Sequence, residues 1–225
     1  MISLSEDYGK GRSRKVEDKM TETKQENQIE FKIFDIYDLS QVEVKDAALK
    51  PYLTYGPKLI LKTHGRAQAR FAKTRMNIVE RLANRLGVPG HIGKKHKIIT
   101  SWGSGKYNRN MKTILEVLKI IEERTKKNPV QVLIDAIENA SPRDEITVIE
   151  HAGARYPQAV DCSPVRRIDL ALRWMVIGAY SKAFGKKKKM AETLANEIIL
   201  ASQQNGESYA YSKKNEAEKQ ADSAR

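Results

Sequence analysis

The sequence predicts a mainly α-helical fold: a bundle of about six helices, a protruding two-stranded β-ribbon and an extended N-terminal arm. Three observations predict it. Apolar residues recur at helical spacing in several separate segments of the chain. One stretch, residues 145–161, instead alternates with a period of two around a glycine-containing turn. The composition, 40% hydrophobic but only 7% aromatic, suits a soluble helical protein.

The elements follow in order. Residues 1–28 are polar, charged and poor in large apolar side chains, so they are expected to form a mobile tail. Residues 29–61 bring short apolar patches (FKIFDIYDL, VEV, YLTY) without a sustained helical period. They are expected to be an arm with one short helix near residues 46–53, ordered only against a partner surface. A helical domain is expected over residues 62–212. Its first helix is predicted over residues 65–86, with Phe71, Ile78, Val79, Leu82 and Leu86 on one stripe. Arg66, Arg70 and Lys73 would form a separate basic stripe, and Gly87 with Pro89-Gly90 would end the helix. A basic, glycine-rich loop runs to Asn110, and the next helix would bury Met111, Ile114, Leu115, Leu118 and Ile121. Asn128-Pro129 is a cap followed by a first-turn proline, and the helix it starts should stop at Ser141-Pro142.

In the period-two stretch Pro157 forbids a central strand, because it cannot donate to a ladder on that side. The hairpin is therefore expected to be an exposed ribbon. Two further helices are predicted over residues 166–184 and 188–205. The polar, helix-permissive end is expected to be a surface helix or tail, with residues 213–225 as its last part.

Charge narrows the function. The chain of 225 residues has a formal net charge of +13, unevenly placed. Residues 1–61 hold 10 basic and 11 acidic residues, whereas residues 62–115 hold 13 basic residues and one acid, Glu80. A soluble surface normally intersperses the two signs, so such a stretch asks for a polyanion, most commonly nucleic acid. An anionic membrane fits less well, because no bulky apolar face accompanies the charges. No apolar run approaches the roughly 20 residues of a membrane span. The N-terminus lacks the apolar segment of a secretory signal. The single cysteine, Cys162, cannot form an internal disulfide, which points to a reducing compartment.

The stretch SWGSGK, residues 101–106, looks like part of a phosphate cradle. A nucleotide-binding P-loop needs glycine where Thr100 stands and serine or threonine where Tyr107 stands, so that reading fails. Its small residues, ringed by Lys94, Lys95, Lys97, Lys106 and Arg109, suit the phosphates of a polymer better. His91 and His96 straddle Gly93 without a cysteine pair, which is no metal spacing. His64 and His151 are isolated and are read as nucleic-acid contacts or solvated groups. Cys162 lacks a nucleophile signature and is expected to be a small buried hydrophobe. Nothing argues for an enzyme, a metal or a cofactor. The segment SPVRRIDLALRW sets Arg166, Arg167 and Arg173 at the junction of ribbon and helix, near Arg143, Arg155 and Tyr156. Guanidinium planes and aromatics suit phosphates and unstacked bases. Both Arg166 and Arg167 are expected to emerge beside the ribbon's base. A free-standing DNA-binding protein and an RNA-modifying enzyme are the rival classes.

Three segments, HGRAQARFAKTRMNIVERLANRL (64–86), NPVQVLIDAIENASPRDE (128–145) and SPVRRIDLALRWMVIGAYSKAFGKKKKMAETLANEI (163–198), carry a resemblance. The chain resembles the universal small-subunit ribosomal protein seven family, in its archaeal and eukaryotic branch, whose eukaryotic member is numbered five. The resemblance covers about residues 30–212. It implies a cytoplasmic structural protein of the ribosome that binds small-subunit ribosomal RNA as a primary binder and helps organise the head domain. That site lies near the decoding region and the tRNA exit site. Neighbouring ribosomal proteins are implied partners, as are exit-site tRNA and mRNA through the ribbon and C-terminus. The basic stretch at 87–110 is absent from bacterial members, so RNA contact there rests on charge alone. Motif and charge together nominate as RNA contacts Lys62, His64, Arg66, Arg70, Lys73, Arg75, Lys94, Lys95, Lys97, Lys106, Arg109, Arg143, Arg155, Tyr156, Arg166, Arg167, Arg173, Lys186, Lys187 and Lys188.

Overall fold

Helix starts and stops follow the local chemistry of the chain in a computed structural model, which describes residues 32–34, 36–57, 61–63, 67–92, 97–100 and 103–225. Six α-helices are present among them: α1 Ile78–Gly87, α2 Tyr107–Thr125, α3 Pro129–Ala140, α4 Pro164–Ala183, α5 Met190–Ser202 and α6 Tyr209–Ser223. Asn77 caps α1 and Asn128 caps α3, each side chain accepting from the backbone N–H two residues on at 3.0 Å. Pro129 and Pro164 each sit in a first helical turn, where the missing N–H is not needed. Lys126 adopts the left-handed conformation that ends α2.

The expected helix over residues 65–86 is shorter than its pattern. Phe71 takes a positive φ of 60°, Ala72–Arg75 form one 3-10 turn, and the α-helix begins only after Asn77. The reason is tertiary. Ile78 N–H donates to the Thr54 carbonyl at 2.8 Å, and the side chain of Thr54 donates to the Thr74 carbonyl at 2.7 Å. The arm therefore takes up the backbone groups a longer helix would have used. Phe71 consequently leaves the apolar stripe and is exposed, while Ile78, Val79, Leu82 and Leu86 are buried as anticipated. Arg70 and Lys73 precede α1 and form no helical stripe with each other, and Arg66, the third residue of the expected basic stripe, lies outside the described residues.

α5 is the centre of the bundle, packing against α2, α3, α4 and α6. Ala191, Ala195 and Ala201 are buried around it together with Leu194 and Ile198. These small side chains let neighbouring helices approach from several sides. Its buried acid, Glu197, accepts from Lys182 Nζ at 2.7 Å, Ser208 Oγ at 2.8 Å and the Ala210 amide at 3.0 Å. That carboxylate joins α4, α5 and the start of α6. Gly178 faces this knot: a Cβ there would stand 2.7 Å from Tyr209 Cβ and 3.1 Å from Glu197 Cδ, so only glycine fits.

The arm finds its partner surface on the molecule itself. Asn128, Gln131, Asp135 and Glu138 on the outer face of α3 bond to it in turn. Asn128 and Gln131 donate to the Asp38 and Glu43 carbonyls at 2.5 and 3.1 Å, and Glu138 accepts from the Lys45 and Asp46 amides at 2.8 and 3.1 Å. Ile33, Leu39, Val42, Leu49 and Leu53 are buried beneath this strap. The short helix expected near residues 46–53 is a 3-10 turn at Lys50–Tyr52.

The ribbon pairs the strands Asp144–His151 and Ala154–Asp161, antiparallel and in full register. Its two-residue turn, Ala152-Gly153, takes positive φ at both positions (51° and 78°), as the right-handed strand twist favours. (The strands Lys97–Ile98 and His91–Ile92 form a second, smaller pair.) Pro157 lies opposite Val148 in a sheet with only two strands, so its missing donor faces outward. The base of the ribbon rests on α6, where Glu218 accepts from the Arg143 amide at 3.1 Å and Arg225 pairs with Asp144. Cys162 is buried beside it, and burial together with the nearby Glu145 pushes its thiol up to about 11.

Candidate nucleic-acid interface

The C-terminal end of α1 is a meeting point for the basic segments. Tyr180 of α4 donates to the Leu86 carbonyl at 3.1 Å, and Arg173 donates to the His91 carbonyl at 3.4 Å. Gly87 and Gly103 pack backbone to backbone: a Cβ on Gly103 would lie 3.2 Å from Gly87 Cα, and one on Gly87 would lie 2.8 Å from Asn110 Nδ2. The first glycine of the SWGSGK stretch is thus small in order to meet a helix end. Gly105, with positive φ and open space about it, forms the turn into α2.

Several of the nominated residues stand between this junction and the segment that precedes α1. Lys62 Nζ lies 5.0 Å from the ring centroid of Tyr107, whose hydroxyl is pushed up to about 12 by burial and by Glu80. Arg70 stacks 5.1 Å from the ring of Phe71. Lys73 pairs with Asp169, while Arg75, Lys106 and Arg109 are exposed. His64, Arg66, Lys94 and Lys95 lie outside the described residues, as do the side chains of Lys97 and His151. Glu80, the one acid of this stretch, is 2% exposed and is occupied by Thr63, accepting from its amide at 2.8 Å and its hydroxyl at 2.9 Å. It does not dilute the positive surface.

Other nominated residues are spread from the tip of the ribbon, where Arg155 and Tyr156 lie beside the Ala152-Gly153 turn, to its base at α4, so the structure does not bring them into one group. Arg155 and Tyr156 are exposed on the ribbon, with Arg155 3.4 Å from Glu150. Arg166 forks onto Glu145, with Nε–Oε1 2.5 Å and Nη2–Oε2 2.6 Å, and stays exposed. Its guanidinium is held above its ordinary value chiefly by that hydrogen bond. Arg167 corrects the expectation that both arginines emerge. It is 7% exposed and donates to Asp46 at 2.8 Å and to the Pro142 carbonyl at 3.2 Å. Successive helical residues point about 100° apart, so one neighbour faces solvent and the other faces the arm. Burial pushes the Asp46 carboxyl up, but the Arg167 and Ala48 hydrogen bonds outweigh this and leave it below its ordinary value. Lys186, Lys187 and Lys188 are exposed in the loop between α4 and α5, after an exposed Phe184.

Sequence reasoning passed over Arg81 and Arg85, which lie four apart on α1 and turn toward Asp169 of α4. The spacing was visible, but both sit within a helix otherwise read as apolar. No group of three or more His, Cys, Asp or Glu among the described residues could hold a metal ion. No described helix is long and apolar enough to cross a membrane.

These features are those of a helical protein with clustered basic residues and an exposed ribbon, and comparison with known proteins gives its family. The family described as Ribosomal protein S7p/S5e matches residues 54–225, and the chain belongs to it. Among its relatives, the small ribosomal subunit protein uS7 of Nanoarchaeum equitans is 48% identical over 198 residues, covering 88% of this chain and 100% of the relative. The protein of the same name from Methanococcus maripaludis is 44% identical over 88% of this chain and 100% of its own length. That of Archaeoglobus fulgidus is 44% identical over 87% and 96%.

Proposed function

We propose that the chain is a structural component of the small ribosomal subunit, binding its RNA through the basic surface around the end of α1. The observation that carries this reading is the 13-to-1 imbalance of residues 62–115, whose lone acid is folded inward. The names of the relatives support the ribosomal setting. On this reading the protein binds early and nucleates the head domain, near the decoding region and tRNA exit site, without catalysing a reaction. The helical body of residues 62–212 supplies the RNA surface. The ribbon and C-terminus reach tRNA and mRNA, and support comes from the exposed Val148, Ile149 and Tyr156, which the fold leaves without cover. Seven or so phosphate contacts would give a log–log dependence of affinity on salt with slope about −5 to −6. Binding to a transcript of the small-subunit head RNA, titrated against salt, tests this; a slope near zero, or equal affinity for unstructured RNA, overturns it.

A further inference from the structure

Where α1 crosses α4, a cavity of about 290 Å³ is lined by Lys73, Arg81, Arg85 and Asp169. Three cations thus share one carboxylate. Asp169 is already engaged, by Lys73 and by Arg81 Nη2 at 3.1 Å. Arg81 is 3% exposed at its side chain and also donates to the Tyr52 carbonyl at 3.2 Å, so it is fixed in place. Arg85 is left over. Its one acceptor among the described residues is the Pro89 carbonyl, at a long 3.4 Å, and its Nε is buried with no acceptor. Burial, and then the charge of Arg173 beside it, hold this guanidinium below its ordinary value. A half-buried cation facing other cations, with a buried Nε that no described residue accepts from, is costly unless an anion completes the site.

We propose that this cavity seats one phosphate of the RNA backbone, gripped by Arg85 and Lys73 while Arg81 remains on Asp169. The site rests on the RNA-binding reading above and adds a particular place to it. A phosphodiester brings one negative charge and two free oxygens, which match the fork of a guanidinium. Asp169 keeps the cations spread and fixed before the ligand arrives. The rest of the basic surface can slide over any duplex, whereas a walled seat accepts only a phosphate presented at one height and angle. The seat therefore sets the register of the protein on its RNA.

The test uses the full chain and a transcript of the small-subunit head RNA carrying single methylphosphonate substitutions, each neutralising one phosphate. For the parent, one position should weaken binding by about tenfold or more. Arg85→Gln should show that loss on unmodified RNA and no further loss at that position. Its salt slope should be shallower by about 0.7–0.9. Lys119→Gln, an exposed lysine elsewhere on α2, should retain the full methylphosphonate penalty at that position. If Arg85→Gln melts early, Arg85→Lys carries the test, keeping the charge but losing the fork and part of the affinity. Parent-like binding by both Arg85 variants overturns the seat while leaving RNA binding intact; no binding by the parent sinks both. Inorganic phosphate, against chloride at matched ionic strength, separates the sources. Phosphate that raises the melting temperature of the parent but not of Arg85→Gln, with RNA affinity unchanged, would mean a free-phosphate site and overturn the RNA assignment.

Discussion

The N-terminal arm and the β-ribbon both lack a helical period, yet they meet the same backbone problem in opposite ways. The arm makes little secondary structure of its own and borrows its hydrogen bonds from side chains of α3, while burying Leu49 and Leu53 in the common core. The ribbon closes its own ladder and needs no such help, but leaves Val148, Ile149 and Tyr156 in solvent. A segment that depends on the body for its polar groups belongs to the body. A segment that is self-sufficient in hydrogen bonds, yet exposes apolar side chains, is free to meet something else.

The widest separation should come from matched truncations. Leu49→Ala should destabilise the protein by about 3 kcal/mol, as a fully buried leucine in a core that cannot collapse around it. Ile149→Ala should cost less than about 0.5 kcal/mol, since its side chain is already half in water. Equal losses in denaturant titrations would erase the distinction.

Next comes the clamp between arm and α4. Arg167→Ala should cost about 3 kcal/mol, near the low end for breaking a buried pair because Asp46 keeps some solvent. Shortening the ribbon by removing residues 147–158 and rejoining the strands with a tight turn should, by contrast, leave helicity and melting temperature close to the parent's. A collapse of helicity by circular dichroism would make the ribbon part of the core.

The same clamp predicts a pH limb. Asp46 is held below its ordinary value in the fold, so its contribution is fully present above the ordinary aspartate range. It fades as pH falls through the depressed folded value. Stability measured from pH 5 downward should therefore drop less steeply in Asp46→Asn, and the ribbon-shortened protein should keep the parental slope. A small effect is also expected of Arg166→Ala. Its fork onto Glu145 is exposed and should contribute no more than about 0.5–1 kcal/mol to stability. Any large change in RNA affinity in that variant would then be a contact effect.

The bundle and the ribbon were legible because their signals are local. Asn128-Pro129 starts α3, Ser141-Pro142 ends it, and Pro157 marks an exposed strand, all within a few residues. What escaped was set by distant partners. The helix expected from residue 65 yields to Thr54, more than twenty positions before Ile78. Arg167 answers to Asp46, 121 residues away, so its inward turn could not be read from the PVRR motif that drew attention to it. Glycine in SWGSGK fitted both a phosphate and a neighbouring backbone, and only the proximity of Gly87 separates the two.

α5 has a consequence for how the protein is made. Among the described residues, the helix that touches four others is the fifth of six to be synthesised. Until Leu194 and Ile198 emerge, α2, α3 and α4 lack the helix that each of them packs against most. The growing chain must then hold the 13 basic residues of 62–115 and a set of uncovered apolar stripes in the open, on a machine built largely of RNA. Its fold is completed late, and the interval before completion is when premature, misregistered capture by nearby polyanions would do most harm.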